Sequence, residues 1–270
     1  STDKLIDPFT LVNAGESPTI TATDNVAVPA VSGMSDAITV NVGAIAEIRI
    51  NDGASGNTAE VTTHTMTTDD SYEVHASRYD AYGNYIGDSP GTAVWDATVD
   101  YDVGDIVGSP GMSISFEPDN TGATGTVTVD DPYNGVGVDA FTGDITVNPG
   151  ALAYIVIEDA SGGTGIEVTT HTMTTDETYQ VWAAGYDADN NYINDISVTW
   201  DETGTLDNTP AGPGVSTLFD PSTAPTSGTI TADDGSGHTD STGTITVNVG
   251  VTVSYVLITD APDGTEVDTA

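Results

Sequence analysis

Three features of the sequence predict an all-β protein built as tandem immunoglobulin-like β-sandwiches. One stretch occurs twice, EVTTHTMTTDDSYEVHASRYDAYGNYIGD at 60–88 and EVTTHTMTTDETYQVWAAGYDADNNYIND at 167–195, aligned without a gap at an offset of 107. Short alternating runs of Thr, Val, Ile and Tyr sit between Gly, Asp and Asn turn signals, with no long helical periodicity. Each copy then runs into a Trp-Asp pair, Trp95-Asp96 and Trp200-Asp201.

A second phrase closes each unit: ITVNVG at 38–43, ITVNPG at 145–150 and ITVNVG at 245–250. The closing glycines, Gly43, Gly150 and Gly250, mark units of 107 and 100 residues. That length is far beyond a solenoid repeat and matches one small autonomous domain. The expected organisation is the back part of a repeat at 1–43, complete repeats at 44–150 and 151–250, and the first strand of a further repeat at 251–270. Gly43-Ala44 and Gly150-Ala151 pass from one unit to the next with no Pro/Ser/Gly linker, so limited swing between domains is expected. The two end pieces together make 63 residues and lack the Trp strand, which favours a window cut from a longer repeating chain over head-to-tail completion between molecules.

In the second complete unit the alternation predicts strands near 151–157, 166–170, 178–186, 196–201, 215–219, 227–232 and 243–249. Seven strands in about 100 residues is the count of an immunoglobulin-type sandwich, and their half-polar patterns suit antiparallel sheets with one wet face. Trp95 and Trp200 each end a short run, Ala93-Val94 and Val198-Thr199, on a strand taken to correspond to the third strand of immunoglobulin sandwiches, where these bury a Trp. With no cysteine in the chain, Val74 and Ala76, or Val181 and Ala183, are expected to fill the place a disulfide would take.

Composition limits the function classes. The chain carries 42 acidic residues against 3 Lys and Arg, a net charge of −39, which argues against nucleic acid or anionic membranes as partners and favours cations. No apolar run approaches the roughly 18 residues that span a bilayer, and the first residues show no signal-peptide pattern.

The pattern YDAxGNxIxDxxVxW, here Tyr79 to Trp95 and Tyr186 to Trp200, is followed by Gly125–Asp131 and Gly228–Asp234 and by GTITVNVG at 243–250. This resembles the bacterial Ig-like (Big) repeat domains, which are similar to the repeats of invasin- and intimin-like adhesins, surface-layer proteins and filament arrays. The resemblance implies spacing, adhesion or assembly at a bacterial or archaeal cell surface, and it supplies no catalytic residues. The first unit departs from it by a two-residue insertion at Ser89-Pro90-Gly91, where the second passes directly through Asp195-Ile196.

Candidate sites are few. His64 and His171 recur in THTM, but no second His or Cys stands at ligand spacing, which points to a structural role. His75 and His238 each occur in one unit only. No Ser-His-Asp constellation, nucleophile elbow or phosphate loop is present, so no enzyme is expected. Asp187, Asp189 and Asn191, with Asp195 beyond, alternate oxygen ligands as calcium prefers, yet Asx residues are also what turns use. In an immunoglobulin-type sandwich the same pole gathers Asp233, Asp234 and Asp240, facing the preceding domain's Asp119 and Asn120. A calcium ion bridging the junction is therefore one expectation and a plain turn the other. The first unit offers only Asp80, Asn84 and Asp88 in the equivalent loop.

The function expected is a non-catalytic structural array, a stalk, surface-layer or filament component, whose partners are neighbouring repeats or other copies of itself. The alternative is a carbohydrate-binding or adhesion module that presents Tyr82, Tyr85, Tyr101, Tyr186 and Tyr192 to a surface glycan. Lys4, the chain's one lysine, lies in the partial first unit, so no Lys–Asn or Lys–Asp isopeptide lock is expected in the two complete repeats.

Overall fold

The computed structural model describes residues 9–24, 26–56, 58–98, 101, 103–121, 124–133, 140–209 and 212–250. The expected strand at 251–270 and Lys4 lie outside the described residues. The chain divides into two compact units, Ser1–Asn148 and Pro149–Ala270.

In the second unit, Tyr179–Tyr186 is the central strand of one sheet. It pairs antiparallel with Tyr154–Glu158, Tyr192–Asp195 and Ser216–Phe219. The facing layer holds two sheets, one running from Gly212–Gly214 through Val198–Glu202 and Ile230–Asp233 to Thr239–Ser241, the other joining His171–Thr174, Ile245–Asn248 and Thr226–Gly228. Val and Ile alternate with Thr and Asp along these strands, so one face of each is apolar. Between the layers lie Ile157, Val181, Ala183, Trp200, Phe219, Ile230, Ile245 and Val247, all at most 1% exposed. This is an immunoglobulin-like β-sandwich, and the first unit repeats it over 44–148.

Its sheets pair Tyr72–Asp80 with Ile45–Asn51, Tyr85–Asp88 and Ser113–Phe116. Opposite them Val127–Asp130 pairs with Val94–Ala97, and Asp144–Asn148 pairs with Thr124–Gly125 and Thr63–Thr67. Val74, Ala76, Trp95, Phe116, Val127, Val129 and Ile145 form the core, with Val74 and Ala76 fully buried. Trp95 and Trp200 are each 1% exposed, and their indole N–H groups donate to backbone carbonyls on neighbouring segments, Gly111 and Gly214 respectively, at 2.9 Å. A buried indole keeps its one donor satisfied in this way.

One strand lies elsewhere than expected. The run 166–170 forms a loop touching the first strand through a single Glu158–Glu167 bridge, and the strand is His171–Thr174. It runs parallel to the closing ITVN strand, His171 beside Ile245 and Met173 beside Val247. Thr63–Thr67 does the same beside Asp144–Asn148. Only one residue in two faces the core, and Met66 and Met173 fill that role at 4% and 2% exposure.

Within the first unit, residues 15–24 pair antiparallel with residues 31–40. The ladder joins Thr21–Asp24 to Val31–Met34, extended by backbone bonds from Ser35 to Ile20, Ile38 to Pro18 and Val40 to Glu16.

Candidate functional site

The feature that recurs in both complete repeats is the turn after the central strand. In the first, Asp80 Oδ1 accepts the N–H groups of Tyr82 and Asn84, both at 2.9 Å, and Asp80 Oδ2 accepts Gly43 N–H at 2.9 Å. The Asn84 side-chain amide lies 3.1 and 3.0 Å from the two oxygens. The second repeat reproduces this: Asp187 Oδ1 accepts from Asp189 and Asn191, and Oδ2 from Gly150 N–H at 3.0 Å. Asn191 Nδ2 again reaches both oxygens. The turn closes because the position between Asp and Asn takes positive φ, Gly83 at 78° and Asn190 at 69°, a region that Gly and Asn tolerate.

Asp80 and Asp187 are thus buried carboxylates, 3% and 0% exposed, surrounded by N–H donors. For Asp80 the Gly43 N–H is the largest influence, with the Asn84 amide next, and together they hold the carboxyl far below the usual range. The bond to Gly43 or Gly150 ties the residue that enters each repeat to that repeat's own turn. In the first unit Asn84 also reaches back to the segment just before the paired strands at 15–24 and 31–40. Its amide donates to Val12 O at 2.6 Å, and its carbonyl accepts Ala14 N–H at 3.0 Å.

The other expected ligands are distributed along the sandwich. Asp195 accepts Tyr192 O–H at 2.9 Å and Gly162 N–H, and the Tyr192 ring rests on Gly163, where a Cβ would lie 2.5 Å from the ring. Asp233 accepts Gly235 N–H. Asp234 accepts Ser236 and His238 N–H and meets His238 Nδ1 at 2.6 Å, a contact that leads in drawing its pKa down to about 2. Asp240 accepts Ile157 N–H at 2.6 Å, and Asp189 is exposed. The structure brings Asp187 to Asn191, and Asp234 to His238. Among the described residues no group of three His, Cys, Asp or Glu side chains is placed to hold a metal ion.

The tyrosines proposed as a glycan platform are mostly occupied. Tyr101 is buried and donates to Ile145 O. Tyr85 donates to Asp88 at 2.8 Å, and burial together with that carboxylate pushes its pKa up to about 12. Burial, then the Asp195 bond, does the same to Tyr192. Tyr186 donates to the buried Glu158, and its hydroxyl is pushed up further, burial again leading. Tyr82 alone of the five is exposed.

Two arrangements lie outside the sequence expectations. His64 stacks face to face on Tyr72, and His171 on Tyr179, at 3.6 and 3.7 Å between ring centres. These contacts account for the recurrence of His in THTM. In the first repeat only, Arg78 grips Asp131 with Nε and Nη2 at 2.8 and 2.6 Å, and Ser89 Oγ donates to the same carboxylate at 2.6 Å. At the aligned positions the second repeat has Gly185 and Ile196, and a Cβ on Gly185 would lie 2.5 Å from Ile196. An ion pair in one copy is an apolar contact in the other.

No protein-family model matches the sequence, and no curated protein is significantly similar to it. Among solved structures, the chain is similar to the Escherichia coli adhesin FdeC, at 17% identity and a TM-score of 0.40, over 81% of this chain and 70% of that one. It is also similar to the BSP domain of a biofilm-associated protein, at 20% identity and a TM-score of 0.21, over 70% of this chain and 29% of that one. A third similarity, to immunoglobulin domains 1–4 of Sidekick-1, has 9% identity and a TM-score of 0.24, over 82% of this chain and 55% of that one.

Proposed function

We propose that the chain is a non-catalytic spacer segment of a cell-surface or extracellular array, a stalk, filament or surface-layer component, built from immunoglobulin-like repeats. The observation that carries this reading is the twice-built bond from the entering glycine to the turn aspartate, Gly43 to Asp80 and Gly150 to Asp187. A connection whose amide is fixed by a buried carboxylate has fewer accessible conformations than a free linker. The net charge of −39 adds solubility and mutual repulsion, both suited to a segment that keeps other parts apart.

Amide hydrogen exchange at Gly43 and Gly150, read with small-angle scattering, tests the reading. Both glycine amides are expected to be protected in the parent chain and to lose that protection in Asp80→Ala and Asp187→Ala, with a broader distribution of scattering dimensions. Unprotected amides in the parent, or a scattering profile the substitutions leave unchanged, would remove the tied connection as the basis of the function.

A further inference from the structure

The outer face of the central sheet is a surface on which the two repeats differ in kind. In the first repeat it carries two ion pairs: Arg49 Nη2 lies 2.6 Å from Glu47, and His75 Nε2 lies 3.3 Å from Glu73. At the offset of 107 the second repeat has Tyr154 and Val156 for Glu47 and Arg49, and Gln180 and Trp182 for Glu73 and His75. One strand across, Ser115 stands beside Glu73, whereas Leu218 stands beside Gln180. Where one copy has four ionisable side chains and a serine, the other has two aromatic rings, a valine, an amide and a leucine.

The register places these residues side by side. Trp182 stands between Glu158 on one neighbouring strand and Ser216 on the other, and Tyr154 stands opposite Tyr186. Val181 and Ala183 point into the core, so the alternation turns Gln180 and Trp182 outward. Trp182, Tyr154 and Val156 are half-buried, and Leu218 is 44% exposed. Tyr154 lies on Tyr186 with ring centres 5.5 Å apart, and Tyr192 meets Tyr186 edge-on. Both carboxylates of the face are engaged. Glu158 accepts the Tyr186 hydroxyl and Gly165 N–H, and Asp195 accepts the Tyr192 hydroxyl and Gly162 N–H. The polar groups beside the indole are neutral: the Gln180 amide and Ser216 Oγ, 3.4 Å apart.

We propose that this outer face of the second repeat, centred on Trp182, binds a neutral polysaccharide. A sugar ring lays its C–H face on the indole and on Leu218, and its hydroxyls bond to Gln180 and Ser216. Trp and Tyr suit such a surface because each presents an apolar body with a polar tip. Charge and size select the occupant. The net charge of −39 repels anionic glycans, and the engaged carboxylates leave a cationic ligand without a partner on the face. A stable protein interface takes about 800 Å² from each partner. One aromatic side chain supplies about 150–250 Å² when wholly covered. Three half-buried side chains and one leucine therefore fall short of a protein interface and suit one or two sugar rings. The site does not depend on the bond between Gly150 and Asp187.

The test titrates cellohexaose, maltohexaose and mannohexaose in turn into the full 15N-labelled chain and follows the three indole N–H signals. At least one of these sugars is expected to move the Trp182 signal saturably while the buried Trp95 and Trp200 signals stay still. Its affinity should be the same at low and high salt, because a neutral ligand has no charge to screen. Trp182→His and Leu218→Ser each install the residue that the first repeat carries at that place. Both should weaken binding, the first at least about tenfold. No saturable change at millimolar sugar with any of the three, equal binding by Trp182→His, or an affinity that falls with salt would overturn the proposal. Self-association of the chain, abolished by Trp182→His, would also overturn it and assign the face to a second copy.

Discussion

Arg78→Ala offers the sharpest test of how the first complete repeat is held together. Asp131 is fully buried, and Arg78 is 19% exposed along its side chain while gripping both carboxylate oxygens. Removing the guanidinium leaves a buried carboxylate that still accepts from Ser89 Oγ and Tyr133 N–H but has lost its cation. Breaking a buried pair from one side costs about 3–5 kcal/mol, because the remaining charge is uncompensated. For a domain near 100 residues each kcal/mol moves the melting point by about 4–8 °C, so the first repeat should lose at least about 12 °C. The second repeat has a separate core, and its transition serves as the internal control. The double variant Arg78→Ala/Asp131→Ala should cost at least about 1 kcal/mol less than the sum of the singles, the coupling expected of a direct pair. Acid supplies the sign. Burial raises the Asp131 pKa, but the Arg78 and Ser89 bonds outweigh it and leave the folded value below the ordinary 3.8. The stability from that shift is fully present above the unfolded value and is lost as pH falls through the lower folded value. Calorimetry of parent and variants at pH 7 and pH 3 reads all of this. An Arg78→Ala melt within about 2 °C of the parent, or strictly additive singles, would refute the reasoning.

Trp95→Ala or Trp200→Ala should each cost about 3–5 kcal/mol through lost burial and the residual cavity, and an unchanged melting transition in either would show that the indole does not support its sandwich. Calcium against sodium at equal ionic strength separates a bridging ion from diffuse screening, which reaches only about 8 Å in physiological salt. A calcium-specific rise in melting temperature, lost in Asp233→Ala/Asp234→Ala, is the outcome expected of a bound ion, whereas identical melts in both salts would exclude one.

The sandwich was legible because its signals are local. Alternation and turn residues place most strands, and two Trp at equivalent positions in a chain without cysteine mark the centres of two cores. The strand at His171–Thr174 escaped because its partner is non-local: THTMT is a strand by virtue of ITVN, more than 70 residues on, and Thr-rich sequence on either side alternates no differently. Asp187 was legible as a special carboxylate but not as a tied one. The same Asp-x-x-x-Asn spacing that suggests oxygen ligands also lets the Asn amide and two backbone N–H groups converge on the Asp. The Arg78–Asp131 pair left a trace in the comparison of the two copies. Arg78 and Ser89 change together to Gly185 and Ile196, the joint substitution that replaces a buried polar contact with a packed one.

What the two copies keep and what they exchange separates the repeat's invariant physics from its local solutions. Asn51 meets Tyr79 in the first copy, and Glu158 meets Tyr186 in the second. Asp131 takes Arg78 in the first, and its counterpart Asp234 takes His238 in the second. These exchanges alter the partner while each pair keeps a side-chain hydrogen bond, although the buried Asn51 Oδ1 accepts none. The cations are used locally: Arg49 pairs with Glu47 and lies over Tyr79, and Arg78 pairs with Asp131. Both arginines are therefore engaged within their own repeat, and with most carboxylates unmatched by any cation the surface is left overwhelmingly anionic. The turn aspartate, its asparagine and the entering glycine do not vary between the copies. A spacer can tolerate many ways of filling a core, but its connections must repeat, and it is the connection that this chain builds twice in the same way.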